Sequence, residues 1–239
     1  MKTIGKLLEI TRYPVKSFAG ERMQACGIES YGMQGDRIAA FVDETREGWN
    51  SFITARTIPV MLNYQARLGG DGQADRLRII SPDGRSLLWD EQLREEIQQH
   101  STQPVSLKSY AEPIDGLMAV DAASLLIVTT ASLLKLETRW DKAIDSRRFR
   151  PNLLIELDDT LLQEGELIGR SIAIGGAELQ INEYCERCSM ITIEPGTLER
   201  DKSLLAAVNE HFELHFGLYA SVRRPGGVQA GDEIRLLHT

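Results

Sequence analysis

No stretch of this 239-residue chain approaches the roughly 20 consecutive apolar residues that cross a bilayer as a helix. The densest run, Leu125 to Val128, is flanked by Ser124 and Thr129, so no membrane partner is expected. The N-terminus lacks a signal peptide's apolar core and small-residue cleavage site, which makes the cytoplasm the expected location. Three cysteines are too few, and the wrong parity, for a disulfide framework; they fit a reducing compartment in which each thiol needs its own explanation. An excess of positive charge is missing too: a net charge of −8 argues against nucleic acid or an anionic membrane as the main partner. That sum leaves room for a local basic pocket. Internal repeats and low-complexity tracts are likewise absent.

What is present is strand-like alternation broken at short intervals by turn residues. Leu77 and Ile79 alternate with arginines before Ser81-Pro82-Asp83-Gly84, where Pro presets φ and Gly accepts a positive one; Arg85–Trp89 is the expected returning strand. Ile172 and Ile174, then Gly175-Gly176, then Ala177, Leu179 and Ile181 make a second hairpin. Helical periodicity is confined to Thr130–Trp140, to Ser203–Phe216 with Gly217 as its stop, and more weakly to Glu91–His100. The chain is expected to be a β-rich α+β protein with few helices. A polar connection around Glu112-Pro113 divides it into residues 1–113 and 114–239.

Two thiols three residues apart, in Cys185-Glu186-Arg187-Cys188, suit a redox pair or half a zinc site. A second zinc-ligand pair is missing, and Met190–Ile193 reads as a strand rather than the helix a thioredoxin-type pair uses. His211 and His215 are spaced to share a face of the last helix, yet His211-Phe212-Glu213-Leu214-His215 lacks the glutamate that follows the first histidine in a zinc-protease helix. Arg187 beside Cys188 favours thiolate over thiol and so a metal ligand. The block Arg147-Arg148-Phe149-Arg150-Pro151-Asn152 reads either as a solvated loop or as a cradle for an anion, since guanidinium forks bind phosphate bidentately.

These segments resemble the MOSC-domain family. Arg148-Phe149-Arg150-Pro151-Asn152 is similar to that family's pterin-contacting signature, and Arg187-Cys188 followed by Glu194-Pro195-Gly196 to its metal-ligating segment. Tyr13-Pro14-Val15-Lys16-Ser17, Gly35-Asp36-Arg37 and Thr54-Ala55-Arg56 look like the MOSC-associated N-terminal β-barrel domain, and Ala131-Ser132-Leu133 and Gly217-Leu218-Tyr219 extend the likeness over nearly the whole chain. The branch that pairs the two domains includes the amidoxime reducing components. The resemblance implies a smaller N-terminal β-barrel-like domain packed on a MOSC-type barrel. It also implies a molybdenum–pterin cofactor with Cys188 on the metal. Lys16, Ser17, Arg37, Arg56, Arg148, Arg150, Asn152 and Arg187 would hold the pterin, with Ser132 or Tyr219 behind them. The implied reaction is reduction of a small N-hydroxylated or N-oxide substrate with electrons from a separate donor protein, because the chain carries no cysteine-rich tail for an iron–sulfur cluster. No pyridoxal phosphate module is discernible. Glu164-Gly165-Glu166 departs from the acidic-x-Trp element of those relatives. Two alternatives stand: a sulfur or cofactor carrier without turnover, and a thiol-redox protein using Cys185 and Cys188.

Overall fold

The computed structural model describes residues 2–69, 76–110, 119, 123–158 and 160–237. In chain order the N-terminal half contains β1 (Lys2–Arg12), β2 (Glu21–Met23), β3 (Ala25–Glu29), β4 (Gly32–Met33), β5 (Ala39–Val42), β6 (Phe52–Ile53), β7 (Gln65–Leu68), β8 (Leu77–Ile80), β9 (Ser86–Leu88), α1 (Glu91–Gln98) and β10 (Ser106–Ser109). The rest contains β11 (Leu125–Thr129), α2 (Thr130–Trp140), β12 (Leu153–Leu157), β13 (Ser171–Ile174), β14 (Ala177–Glu186), α3 (Lys202–Phe212), β15 (His215–Arg224), β16 (Gly226–Gln229) and β17 (Glu233–Leu236). The expected β-rich α+β class is what the chain adopts. The expected division at residues 113 and 114 falls outside the described residues.

Seven strands close on themselves in the order β12, β11, β15, β14, β13, β17, β1 and back to β12. The closing strand comes from the other end of the chain: β1 pairs antiparallel with β12 through Leu7↔Ile155 and with β17 through Lys2↔Leu236. Along β1 strict alternation is broken by register shifts between Thr3 and Gly5 and between Leu7 and Glu9, and Ile4, Leu7 and Ile10 are all buried, packing with Ile127, Ile155, Leu179, Leu218 and Ile234 in one core. β3 also crosses over, pairing with β16. A second core, built on Phe18, Phe41, Tyr64, Ile79 and Leu93, lies under the small sheets β10-β5-β6 and β7-β8-β9 and under α1. Within it Phe18 stacks on Tyr64 at 5.1 Å between ring centroids. A third cluster joins α2 and α3 through Leu136, Val208, Phe149 and Phe216.

Both expected hairpins form: Ile79↔Leu87 sets the register of β8 and β9, and Ile174↔Ala177 closes β13 on β14 around Gly175-Gly176. α2 occupies the expected residues, capped by the Thr129 hydroxyl, and α1 ends two residues before His100. Two expectations fail. The last helix stops at Phe212, because Glu213 and Leu214 take left-handed φ of 53° and 63° and their amides return to Asn209 and Val208. His215 therefore opens β15, so it shares no helix face with His211. Met190–Ile193 is not a strand either: Ser189–Thr192 is one 3₁₀ turn that Cys188 precedes.

Barrel closure sets a steric limit at Gly5, where a Cβ would lie 2.1 Å from the Glu156 carbonyl oxygen. Gly5→Ala is expected to cost more than about 2 kcal/mol in urea denaturation by prising β1 from β12. Gly227→Ala, with nothing within 4 Å of the added carbon, should stay within about 0.5 kcal/mol of the native chain.

Candidate functional site

Where the barrel, the small sheets and the helical cluster meet, one cavity is lined by Lys16, Ser17, Arg37, Arg56, Arg148, Arg150, Asn152, Arg187, Cys188 and Tyr219. Segments over 200 residues apart in sequence thus converge. Six of the lining side chains are cationic and Glu186 is the sole carboxylate among them, on a chain whose net charge is −8. A local electropositive basin in an acidic protein attracts an anion.

Arg187 is the most constrained of these cations. Its Nε donates to the Phe216 carbonyl at 2.7 Å and its Nη1 to the Phe149 carbonyl at 3.0 Å, while its backbone N–H donates to Leu214 O at 2.7 Å. The left-handed turn at Glu213-Leu214 presents that last acceptor. Gly217 makes room beside it: at φ +80°, a Cβ there would lie 2.8 Å from Ile127 O and 3.1 Å from Arg187 Nη2. The glycine read as a helix stop is instead a notch for a guanidinium. Arg187 is 9% exposed, and its Nη2 has no hydrogen-bond partner. A buried donor left unpaired costs free energy unless a ligand or water takes it.

The other cations are held by the protein in different ways. Arg148 donates to Ile191 O at 3.0 Å and pairs with Glu194. Arg150 donates to Phe18 O at 2.8 Å and lies 4.3 Å above the Tyr13 ring, with Arg37 at 4.9 Å from the same ring. Burial raises the Tyr13 phenol to about 12 against the pull of Arg150 and Arg37. Arg37 also pairs with Asp36. Asn152 spends its amide on structure, accepting from Leu126 N and Arg37 Nη1 and donating to Thr11 O. Lys16 Nζ donates to Ala119 O at 2.9 Å. Arg56 is exposed; its Nε reaches Thr54 Oγ1 at 3.3 Å, and it forms no ion pair among the described residues.

Ser17, Arg37 and Arg150 all sit at positive φ, 70°, 52° and 56°. Non-glycine residues in this region carry a backbone cost that persists where the surrounding structure imposes it, often at functional sites. Cys188 and Cys185 both line the cavity, Cys188 exposed and Cys185 buried. None of the three cysteines forms a disulfide among the described residues. Among the described residues no group of three or more His, Cys, Asp or Glu is placed to hold a metal ion.

The MOSC domain family model matches residues 115–235, and the model for the MOSC N-terminal beta barrel domain matches residues 4–131. The chain belongs to the MOSC family. Among its relatives, mitochondrial amidoxime-reducing component 1 of Homo sapiens is 29% identical over 147 residues, 56% of this chain and 43% of that protein. Molybdenum cofactor sulfurase of Drosophila melanogaster is 25% identical over 258 residues, 90% of this chain and 31% of that protein. The chain spans under half the length of these curated relatives. Among solved structures, YuaD from Bacillus subtilis aligns over 96% of this chain and 93% of its own at 17% identity, with a TM-score of 0.49.

In this MOSC chain one predicted site residue stands apart. Ser132 lines a different pocket, with Lys135, Glu164, Tyr184, His211 and His215. As a first-turn residue of α2 it donates its amide to the Thr129 cap, and its hydroxyl donates to Glu164 Oε2 at 2.6 Å, beside the Thr129 hydroxyl at 2.5 Å. Sequence reading also missed cavity-lining Trp49, Phe149 and Met190, which lie outside the polar positions of the motifs or between them. For Phe149, flanked by Arg148 and Arg150, the signal was present.

Desolvation raises the Glu164 pKa, opposed by the hydroxyls of Ser132 and Thr129 and by the charges of Arg187 and Lys135. A folded-state pKa above the unfolded one means stability that is full below the ordinary glutamate range and falls as pH rises through the raised value. Urea denaturation of the native chain and Glu164→Gln at about pH 4 and about pH 7 should show the native chain losing stability relative to the variant on going to the higher pH. A constant difference would refute the assignment.

Proposed function

We propose that the cavity binds a molybdenum–pterin cofactor and that Cys188 supplies the protein's thiolate to the metal. The observation that carries this is the convergence of six cations and an exposed thiol on one cavity. The donor set fits. A soft thiolate suits a metal that also has sulfur ligands, and Arg forks suit phosphate oxygens. Arg56 and Lys16 bind the anionic end, and Arg187 adds its positive charge to the cavity wall. Arg148, Arg150 and Asn152 keep the cradle in shape through the contacts they already make. The bound group would supply two-electron redox chemistry.

The activity that accompanies this reading is reduction of a small N-hydroxylated or N-oxide compound, with electrons from a separate donor protein in the cytoplasm. Its support is the kinship with amidoxime-reducing components. Kinship with the molybdenum cofactor sulfurases, which extends over 90% of this chain, favours a second reading in which Cys188 carries sulfur or hands on cofactor without turnover. The burial of Cys185 weighs against two thiols of equal role.

Molybdenum and pterin per protein, measured on chain made in a host with intact cofactor synthesis, test the assignment. Cys188→Ala should lose most of its molybdenum, and equal metal content in both proteins would sink it. Arg56→Ala, which breaks no internal ion pair, should weaken pterin retention by about tenfold at low salt and less at high salt. A persulfide on the native chain without molybdenum would favour the carrier.

A further inference from the structure

Trp49 is the chain's only cavity-lining tryptophan among the described residues. The other two are engaged elsewhere: Trp89 Nε1 donates to Ser109 Oγ and Trp140 Nε1 to Ser203 Oγ, both at 2.9 Å. Trp49 rides on the turn Gly48–Ser51, none of whose residues is buried, and is 39% exposed. Its ring rests on Phe52 at 5.2 Å, and the Lys16 ammonium stands 3.9 Å from its centroid. An indole face and an ammonium therefore occupy adjoining positions at one edge of a cationic cavity. That pairing matches a ligand with a flat conjugated ring and an anionic tail.

We infer that Trp49 is a ligand-recognition residue whose indole face packs on the planar ring of a phosphorylated heterocycle of the pterin class held in the cavity. The inference rests on the cofactor reading above. An oxyanion competes for the Lys16 ammonium better than an indole does, because a charge-assisted hydrogen bond is stronger than a cation–π contact at a partly exposed site. The indole that loses its cation gains the ring carried by the same ligand. Ring and phosphate thus reinforce each other, and neither fragment alone obtains both contacts.

The test uses the full chain with Trp89→Phe and Trp140→Phe, so that Trp49 is the only tryptophan, titrated with oxidised hydroxymethylpterin phosphate, with inorganic phosphate and with unphosphorylated hydroxymethylpterin. Saturable quenching of Trp49 by the pterin phosphate is expected, at lower concentrations than either fragment requires. By calorimetry in the otherwise native chain, Trp49→Ala should weaken pterin phosphate binding about tenfold and Trp49→Phe about threefold, while inorganic phosphate binding should not weaken. Unchanged pterin phosphate affinity in Trp49→Ala overturns the inference and leaves the cofactor reading standing. Failure of the native chain to bind pterin phosphate at all overturns both.

Discussion

The closing of the barrel by the first strand is the constraint on which the rest depends. β1 fills the gap between β17 and β12, and its pairing on both edges leaves the barrel without a free edge there. The same closure fixes where the chain goes next. Thr11 N donates to Asn152 O, Asn152 Nδ2 to Thr11 O, and Arg37 N to Tyr13 O. Segment 13–17 is thereby tied to the segment that carries Arg148 and Arg150. A cavity that draws on residues 16 and 188 exists because strand pairing, not a flexible linker, sets their separation.

Within that frame the cations are arranged by backbone more than by carboxylates. Arg187 leans on the carbonyls of Phe216 and Phe149, Arg148 on Ile191, Arg150 on Phe18 and Lys16 on Ala119. Carbonyl dipoles hold a guanidinium in place without cancelling its charge, so the cavity keeps its positive field. Where a carboxylate does pair, Glu194 with Arg148 joins two separate segments, whereas Asp36 with Arg37 is a pair of sequence neighbours. The left-handed φ of Ser17, Arg37 and Arg150 points the same way: backbone cost is accepted where it aims side chains at a common point.

Much of this was legible in the sequence because it rests on short-range signals. Alternation around Gly175-Gly176 specified a hairpin, and the resemblance of Arg148-Phe149-Arg150-Pro151-Asn152 and Arg187-Cys188 to MOSC-domain segments pointed to three of the cavity's six cations. The misses share a physical origin. Met190-Ile191-Thr192-Ile193 has the β-branched, apolar look of a strand, but Ile191 and Ile193 are drawn to two different cores, and a 3₁₀ turn satisfies both. Helical periodicity continued past Phe212 on paper, yet Glu213 and Leu214 turn left-handed so that the chain can enter β15. Ser132 sits at a helix start, where the capping of α2 aims its hydroxyl at Glu164 rather than at the cavity. Trp49 reaches the cavity through the pairing of β5 with β6, which no local pattern announces.

Glu164 and Arg187 bear on how the two pockets relate. The Arg187 charge lowers the Glu164 pKa, although desolvation prevails. Each group therefore sits in the other's field while lining a separate pocket, Glu164 with Ser132 and Arg187 with Cys188. Interaction between charges is mutual, so an ionised Glu164 reduces the positive potential around Arg187, and a protonated one restores it. Glu164 in one pocket is thus electrostatically coupled to Arg187 in the other. Gly165 suits that arrangement sterically, since a Cβ there would stand 2.6 Å from the Tyr184 hydroxyl. A larger residue at 165 would push against the Tyr184 side chain, which lines the same pocket as Glu164.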